Sequence, residues 1–284
     1  MSGGSVTAFF KASGAGNDFV VLVEPAREPA GEEIRAFCRR GLSLGADGVL
    51  AIGRLEGGGI RLQHWNNDGG RSDFCLNGSR CAIQLAATLG LAPAEDFFPL
   101  HTDAGEIAGR RLDPHRAELR LPAGFAEAPE SRVLEVGGTH HAGFFLRVGV
   151  PHFVLPWPLG LAEAPVAELG ARLRHHPDLG PGGANVNFVR WVSEAAFEIR
   201  TFERGVEAET LACGSGVVAS FAAGRISGAL GERAGALTSG GFRLVLTEAG
   251  QGKLEIAGDA RLVARGELLA GAQILPAPPN WSTD

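Results

Sequence analysis

The chain contains no tyrosine and a single methionine, and its only lysines are Lys11 and Lys253, so arginine carries most of the positive charge. These are biases of composition and point to no particular chemistry. Other absences exclude more. No apolar run approaches the ~20 residues that a helix needs to cross a membrane, so no spanning segment and no membrane partner are expected. Met1 to Ala8 hold neither a basic nor an apolar stretch, so no secretory leader is expected and the cytoplasm is the expected location. Cysteine occurs at four positions, 38, 75, 81 and 213, with no Cys-x-x-Cys pair. Zinc centres need clustered ligands, so no metal is expected, and in a reducing compartment the four are expected as thiols. A net charge of −6 argues against a nucleic-acid-binding surface. No pyridoxal-binding pattern is visible, and no cofactor is expected.

With 284 residues, 45% of them hydrophobic, the chain can build one large domain or two modest ones. Its mean hydropathy near zero is that of an ordinary globular protein.

One stretch organises the rest: Glu203-Arg204-Gly205 followed by Glu209-Thr210-Leu211-Ala212-Cys213-Gly214-Ser215-Gly216. The alternating segment 196–202 before it predicts a strand, and the small apolar residues from Val217 to Ile226 predict a buried helix. A cysteine is thus expected where a loop enters a helix. There the partial positive charge and free N–H groups of a helix start stabilise a thiolate and lower its pKa. The same N–H groups can hold a carboxylate, and glycines at 214 and 216 let a ligand approach the backbone.

A second copy lies upstream. Asn66 to Ser72 read as a turn, then Cys75-Leu76-Asn77-Gly78-Ser79-Arg80-Cys81 opens an Ala-rich helix closed by Gly90. Two cysteines at two helix starts suggest one thiol on each side of a shared substrate. Asn185 to Val189 echo Asn17 to Val20, which with the repeated cysteine unit suggests an internal duplication. The spacings differ, with 58 residues from Asn17 to Cys75 and 28 from Asn185 to Cys213.

These motifs resemble those of the diaminopimelate epimerases, amino-acid epimerases that use no cofactor. Cys75 to Cys81 is similar to the family's Cys-Gly-Asn-Gly-x-Arg-Cys, Glu203 to Gly216 to its second motif, and Phe10 to Val20 to its N-terminal signature. The resemblance runs in order from Phe10 to Gly216. It implies an α/β (α+β) fold of two pseudo-symmetric domains, each a mainly antiparallel sheet wrapped around a central helix, with the active site in the cleft between them. The domains are expected at 1–123, with the return of 259–284, and at 124–258. The Pro/Gly/Ala-rich segment 122–130 marks the boundary.

The resemblance also implies the chemistry. Cys75 and Cys213 are the two acid/base groups, one a thiolate that abstracts the α-proton and one a thiol that donates. His152 and Glu203 are implied to tune or deprotonate them. The N–H groups around Leu76, Asn77, Gly78, Gly214 and Ser215 are implied to hold the α-carboxylate. Asn17, Asn66, Asn185 and Arg204 are implied to read the distal amino-acid head, where an arginine can grip a carboxylate bidentately. The implied substrate is diaminopimelate, in lysine and peptidoglycan synthesis, and the implied assembly is a homodimer. Cys38 and Cys81 are read as small buried hydrophobes.

Three positions depart from the family pattern. Leu76 stands where a glycine is usual, Val150 where some members carry an asparagine before Pro-His, and the loop 205–209 is a residue longer than in some relatives. Two other readings compete: a related racemase or epimerase for histidine or proline, and a non-catalytic amino-acid-binding relative. Glu209-Thr210-Leu211-Ala212 before Cys213 differs from the Asp-Arg-Ser-Pro of proline racemases. The presence of both cysteines separates the chain from the phenazine-biosynthesis isomerase type and from a non-catalytic binder.

Overall fold

The structure is a computed structural model that describes residues 7–273. The outermost parts of the ranges 1–123 and 259–284 lie outside the described residues. The described residues form one continuous sheet with four helices: α1 (Gly31–Cys38), α2 (Leu76–Thr88), α3 (Val166–Arg174) and α4 (Gly214–Ile226).

The sheet is built twice from the same plan. In the first half, strand Thr7–Gly14 pairs antiparallel with Asn17–Val23, which runs parallel to Gly48–Arg54. Gly48–Arg54 is antiparallel to Ile60–Asn66, which runs parallel to Phe98–Thr102, and two antiparallel steps then lead through Gly105–Asp113 to Arg116–Leu121. In the second half the same alternation runs through Thr139–Val148, Val150–Pro156, Asn185–Ser193, Ala196–Glu203, Arg233–Thr238, Arg243–Glu248 and Leu254–Asp259. The seventh strands of the two series, Arg116–Leu121 and Leu254–Asp259, pair with each other. Beyond this seam the chain crosses over each time. Glu130–Val136 joins the edge of the second half, and Arg261–Leu268 returns to pair with Thr7–Gly14.

Each half wraps a helix. In α2 every residue from Leu76 to Ala87 is buried. In α4 Val217, Val218, Ala219, Phe221 and Ala223 are buried on all sides. A helix surrounded by sheet must be apolar all round, and small residues let the strands close on it. Gly224 shows the tolerance: a Cβ there would lie 2.5 Å from Leu230 and 2.7 Å from Trp191. Of the polar residues in these helices, Gln84 donates to the Asp113 carbonyl and Ser220 to the Gly216 carbonyl one turn back in its own helix.

The plan corrects the sequence echo. Asn17 opens the second strand of its half, whereas Asn185 opens the third. The position equivalent to Asn185 is Gly48, and that equivalent to Asn17 is Val150, since each begins the strand after the first hairpin. Compared correctly the spacings agree, with Gly48 lying 27 residues before Cys75 and Asn185 lying 28 before Cys213. The first turn is Ala15-Gly16, with Ala15 at φ 54° and Gly16 at φ 85°, and α3 begins at Val166.

Candidate active site

Cys75 is the N-cap of α2 and Cys213 the N-cap of α4, each in extended conformation (φ −148° and −109°). The loops reach these caps in the same way. His64 pairs with Ser72 in the first half and Thr201 with Thr210 in the second, each three residues before its cysteine. A short two-stranded return therefore aims each thiol at its helix start.

The two starts face each other. A Cβ on Gly214 would lie 2.9 Å from the Leu76 Cβ and 3.2 Å from Asn77 Oδ1. Asn77 Nδ2 donates to the Ala212 carbonyl at 3.3 Å, and its Oδ1 accepts from Arg80 Nη2 at 2.7 Å. Arg80 is fully buried and also donates Nε to the Asp259 carbonyl at 3.2 Å. Thus α2 holds the residue just before Cys213. Leu76 does not border open space but belongs to the core between the halves.

The Cys75 Sγ accepts from the Gly78 N–H at 3.5 Å and donates to Asn17 Oδ1 at 3.7 Å. The Cys213 Sγ lies 3.4 Å from Ser215 Oγ. Burial pushes both thiols above the ordinary range, and the nearby Glu203 carboxylate pushes the same way. The helix-start N–H groups act oppositely on both, as the sequence implied, but burial outweighs them.

Glu203 ends strand Ala196–Glu203, and its Oε2 accepts from Thr210 Oγ1 at 2.8 Å. Burial and the charge of Asp47 raise its pKa. Its counterpart in the first half is Asn66, which is exposed.

His152 is fully buried. Its Nδ1 lies 3.2 Å from Asn187 Nδ2, while Thr201 Oγ1 donates to Asn187 Oδ1 at 3.0 Å. Asn187 Nδ2 also donates to the Phe153 carbonyl at 3.5 Å, which can only accept and so sets the N–H₂ toward the ring; Nδ1 then accepts and Nε2 carries the hydrogen. Nε2 has no partner among the described residues. Burial and the Arg204 charge lower the pKa to about 3, so the ring is neutral. Asn185, also buried, accepts the Arg204 N–H at 2.7 Å and fixes that turn. Arg204 itself has no ion pair among the described residues.

Sequence reasoning passed over Thr210, Asn187, Arg80 and Asp47 as functional positions. Arg80 carries a signal, a charge inside an otherwise apolar helix pattern. Asn187 and Thr210 carry none that a turn or strand residue would lack.

A family model described as diaminopimelate epimerase matches residues 9–113 and 144–266. The chain belongs to the diaminopimelate epimerase family. It is 36% identical to the diaminopimelate epimerase of Aquifex aeolicus over 223 residues, covering 74% of this chain and 78% of that protein. It is 33% identical to the diaminopimelate epimerase of Chlorobaculum tepidum over 269 residues, covering 90% and 99%. Among solved structures, this family member shares its fold with a probable proline racemase from Agrobacterium radiobacter at TM-score 0.70 and 15% identity, covering 93% of both chains. A phenazine biosynthesis protein of the PhzF family from Bacillus anthracis superposes at TM-score 0.68 and 14% identity, covering 94% of this chain and 100% of that one. No helix among the described residues is long and apolar enough to cross a membrane.

Proposed function

We propose that the chain interconverts LL- and meso-2,6-diaminopimelate by passing the α-proton between Cys75 and Cys213. The observation that carries this is the pair of thiols at two abutting, topologically equivalent helix starts. Inversion at an α-carbon needs a base on one face and an acid on the other, and a pseudo-twofold pair supplies both. In this reading the helix-start N–H groups of Leu76, Asn77, Gly78, Gly214 and Ser215 hold the α-carboxylate, on which charge develops as the proton leaves.

In this reading Glu203 takes the proton that generates a thiolate. Burial raises its pKa, which makes the carboxylate a stronger base for that step. His152, being neutral with its Nε2–H unpartnered, serves as a hydrogen-bond donor rather than as the base. The guanidinium of Arg204, which has no ion pair among the described residues, takes the distal carboxylate, with Asn185 holding its backbone and Asn66 at the rim. Asn17 sits against Cys75, so it serves the reacting end. Cys213 and His152 are buried, so the halves must part for substrate to enter.

The division into 1–123 with 259–284 and 124–258, the cytoplasmic location, the homodimer and the place in lysine and peptidoglycan synthesis belong to the same proposal. The test is α-proton exchange in heavy water, read by proton NMR under reducing conditions. Diaminopimelate should lose its α-proton signal while L-histidine and L-proline keep theirs. Exchange of histidine or proline but not diaminopimelate would overturn the substrate.

A further inference from the structure

We propose that Asp47, acting through Asn17, holds Cys75 as the protonated thiol of the resting pair and so leaves Cys213 as the thiol that ionises first. This rests on the two-thiol reading above.

The amide of Asn17 has one orientation available. Its Nδ2 donates to Asp47 Oδ2 at 2.9 Å, and a carboxylate accepts only. Asn17 Oδ1 must then face Cys75, 3.7 Å from Sγ. A carbonyl oxygen cannot donate, so Cys75 supplies the S–H. Asp47 is itself held in place. The same Oδ2 accepts the Asp18 N–H at 3.1 Å, and Oδ1 takes Arg40 Nη2 at 2.9 Å. Asp18 is paired in turn with Arg40 at 2.5 Å and with Lys11 at 2.6 Å. An amide flip would set Oδ1 against this carboxylate.

Among the described residues no equivalent pair faces Cys213. The positions matching Asn17 and Asp47 in the second half are Val150 and Ala184, both apolar. The polar side chain at Cys213 is instead Ser215, whose hydroxyl can rotate to donate to a thiolate. The partners of the two sulfurs therefore differ in kind, although the fold around them is duplicated.

The other groups facing the pair set bounds on this bias. Glu203 opposes a thiolate on either sulfur, and a charge on Cys75 opposes ionisation of Cys213. The N–H groups of Gly78 and Asn77 favour a thiolate on Cys75, and Arg80 does so too, so the Asn17 acceptor has to offset all three. The N–H of Gly216 favours one on Cys213. Cys81, buried beside Cys75, stays neutral. Asp47 is a positioning residue, since it acts on Cys75 only through the Asn17 amide.

The experiment is a site-resolved titration of the full chain carrying ¹³Cβ-labelled cysteine, read by NMR without substrate. In wild type Cys213 should ionise at lower pH than Cys75. In Asp47→Asn the neighbouring amide can donate or accept, Asn17 can turn, and the gap should narrow by about one pH unit or more, which is the scale of one hydrogen bond. Asn17→Val, which copies the residue at the equivalent position in the other half, should narrow it similarly without touching the Asp47 ion pairs. Asp47→Glu should keep the wild-type order. A merely structural role for Asp47 would lower the melting temperature and leave the order of ionisation unchanged, which would overturn the proposal. Cys75 ionising first in wild type would overturn it too. Because substrate is absent, failure here leaves the diaminopimelate assignment standing, and inactivity on diaminopimelate leaves the titration readable.

Discussion

Leu76 and Gly214, the residues that follow the two cysteines, occupy equivalent positions in the two halves and pack against each other, a Cβ on Gly214 falling 2.9 Å from the Leu76 Cβ. One is large because the other is absent. Gly214→Ala should therefore push the helix starts apart, costing about 1–3 kcal/mol of stability and lowering turnover. Adding Leu76→Gly should recover much of that loss, although alone it removes a core side chain and should cost stability on the scale of about 2–5 kcal/mol. A double-mutant cycle on urea midpoints and on kcat/KM checks the pairing. Additive effects would contradict direct packing.

Cys38 and Cys81 are core residues, 6% and 0% exposed. Burial pushes Cys38 up to about 11 and Cys81 further up. Neither should react with iodoacetamide at pH 8 in the native enzyme, and Cys38→Ala should leave turnover within about twofold while costing a little stability. Peptide mapping after alkylation reads the first, and a steady-state assay the second.

Two buried histidines should make the fold sensitive to acid. Burial lowers His64 to about 4 and His152 to about 3, from about 6.5 in an unfolded chain. Both are neutral when folded, so their contribution is full above pH 6.5 and declines as pH falls through 6 and 5 toward those values. By pH 5 the loss from His64 alone is about 2 kcal/mol. His64 packs edge-on against Phe19 at 5.7 Å and its Nδ1 has no partner among the described residues. His64→Leu should accordingly lose less stability between pH 7 and pH 5 than wild type, as read from urea unfolding.

Glu203 and Thr210 form one unit across 2.8 Å. Glu203→Gln should slow epimerisation by roughly 10²–10⁴-fold, the usual weight of a general acid/base group. It should also lower the ionisation pH of both thiols, because the carboxylate opposes a thiolate on each. Thr210→Val should raise the Glu203 pKa and shift the pH–rate profile upward with a smaller loss. An unchanged profile in both variants would remove Glu203 from the proton path.

The helices of the site were legible because their pattern is local. Cys75 and Cys213 precede small apolar runs, and a helix wrapped by sheet leaves that signature in composition alone. The strand pairs were legible as alternation. The equivalence of positions was not, because Asn17 and Asn185 look alike in sequence while sheet order, a non-local property, puts them on different strands. Burial was hidden for the same reason. A helix start argues for a lowered thiol pKa, and only the burial of both sulfurs in the fold shows that desolvation exceeds it. Arg80 and Asp47 act through Asn77 and Asn17, and contacts of 135 and 30 residues in separation leave no local pattern.

The central claim is that the two thiols work on opposite faces of one carbon. It is tested most directly with Cys75→Ala and Cys213→Ala, each incubated in heavy water with LL- and with meso-diaminopimelate, following both deuterium uptake and configuration. Neither variant should epimerise. Each should exchange the α-proton of at most one configuration at the reacting carbon, and not the same configuration for both variants, because a lone thiol reaches a single face. Epimerisation by either variant, or exchange of the same configuration by both, would contradict the two-face mechanism.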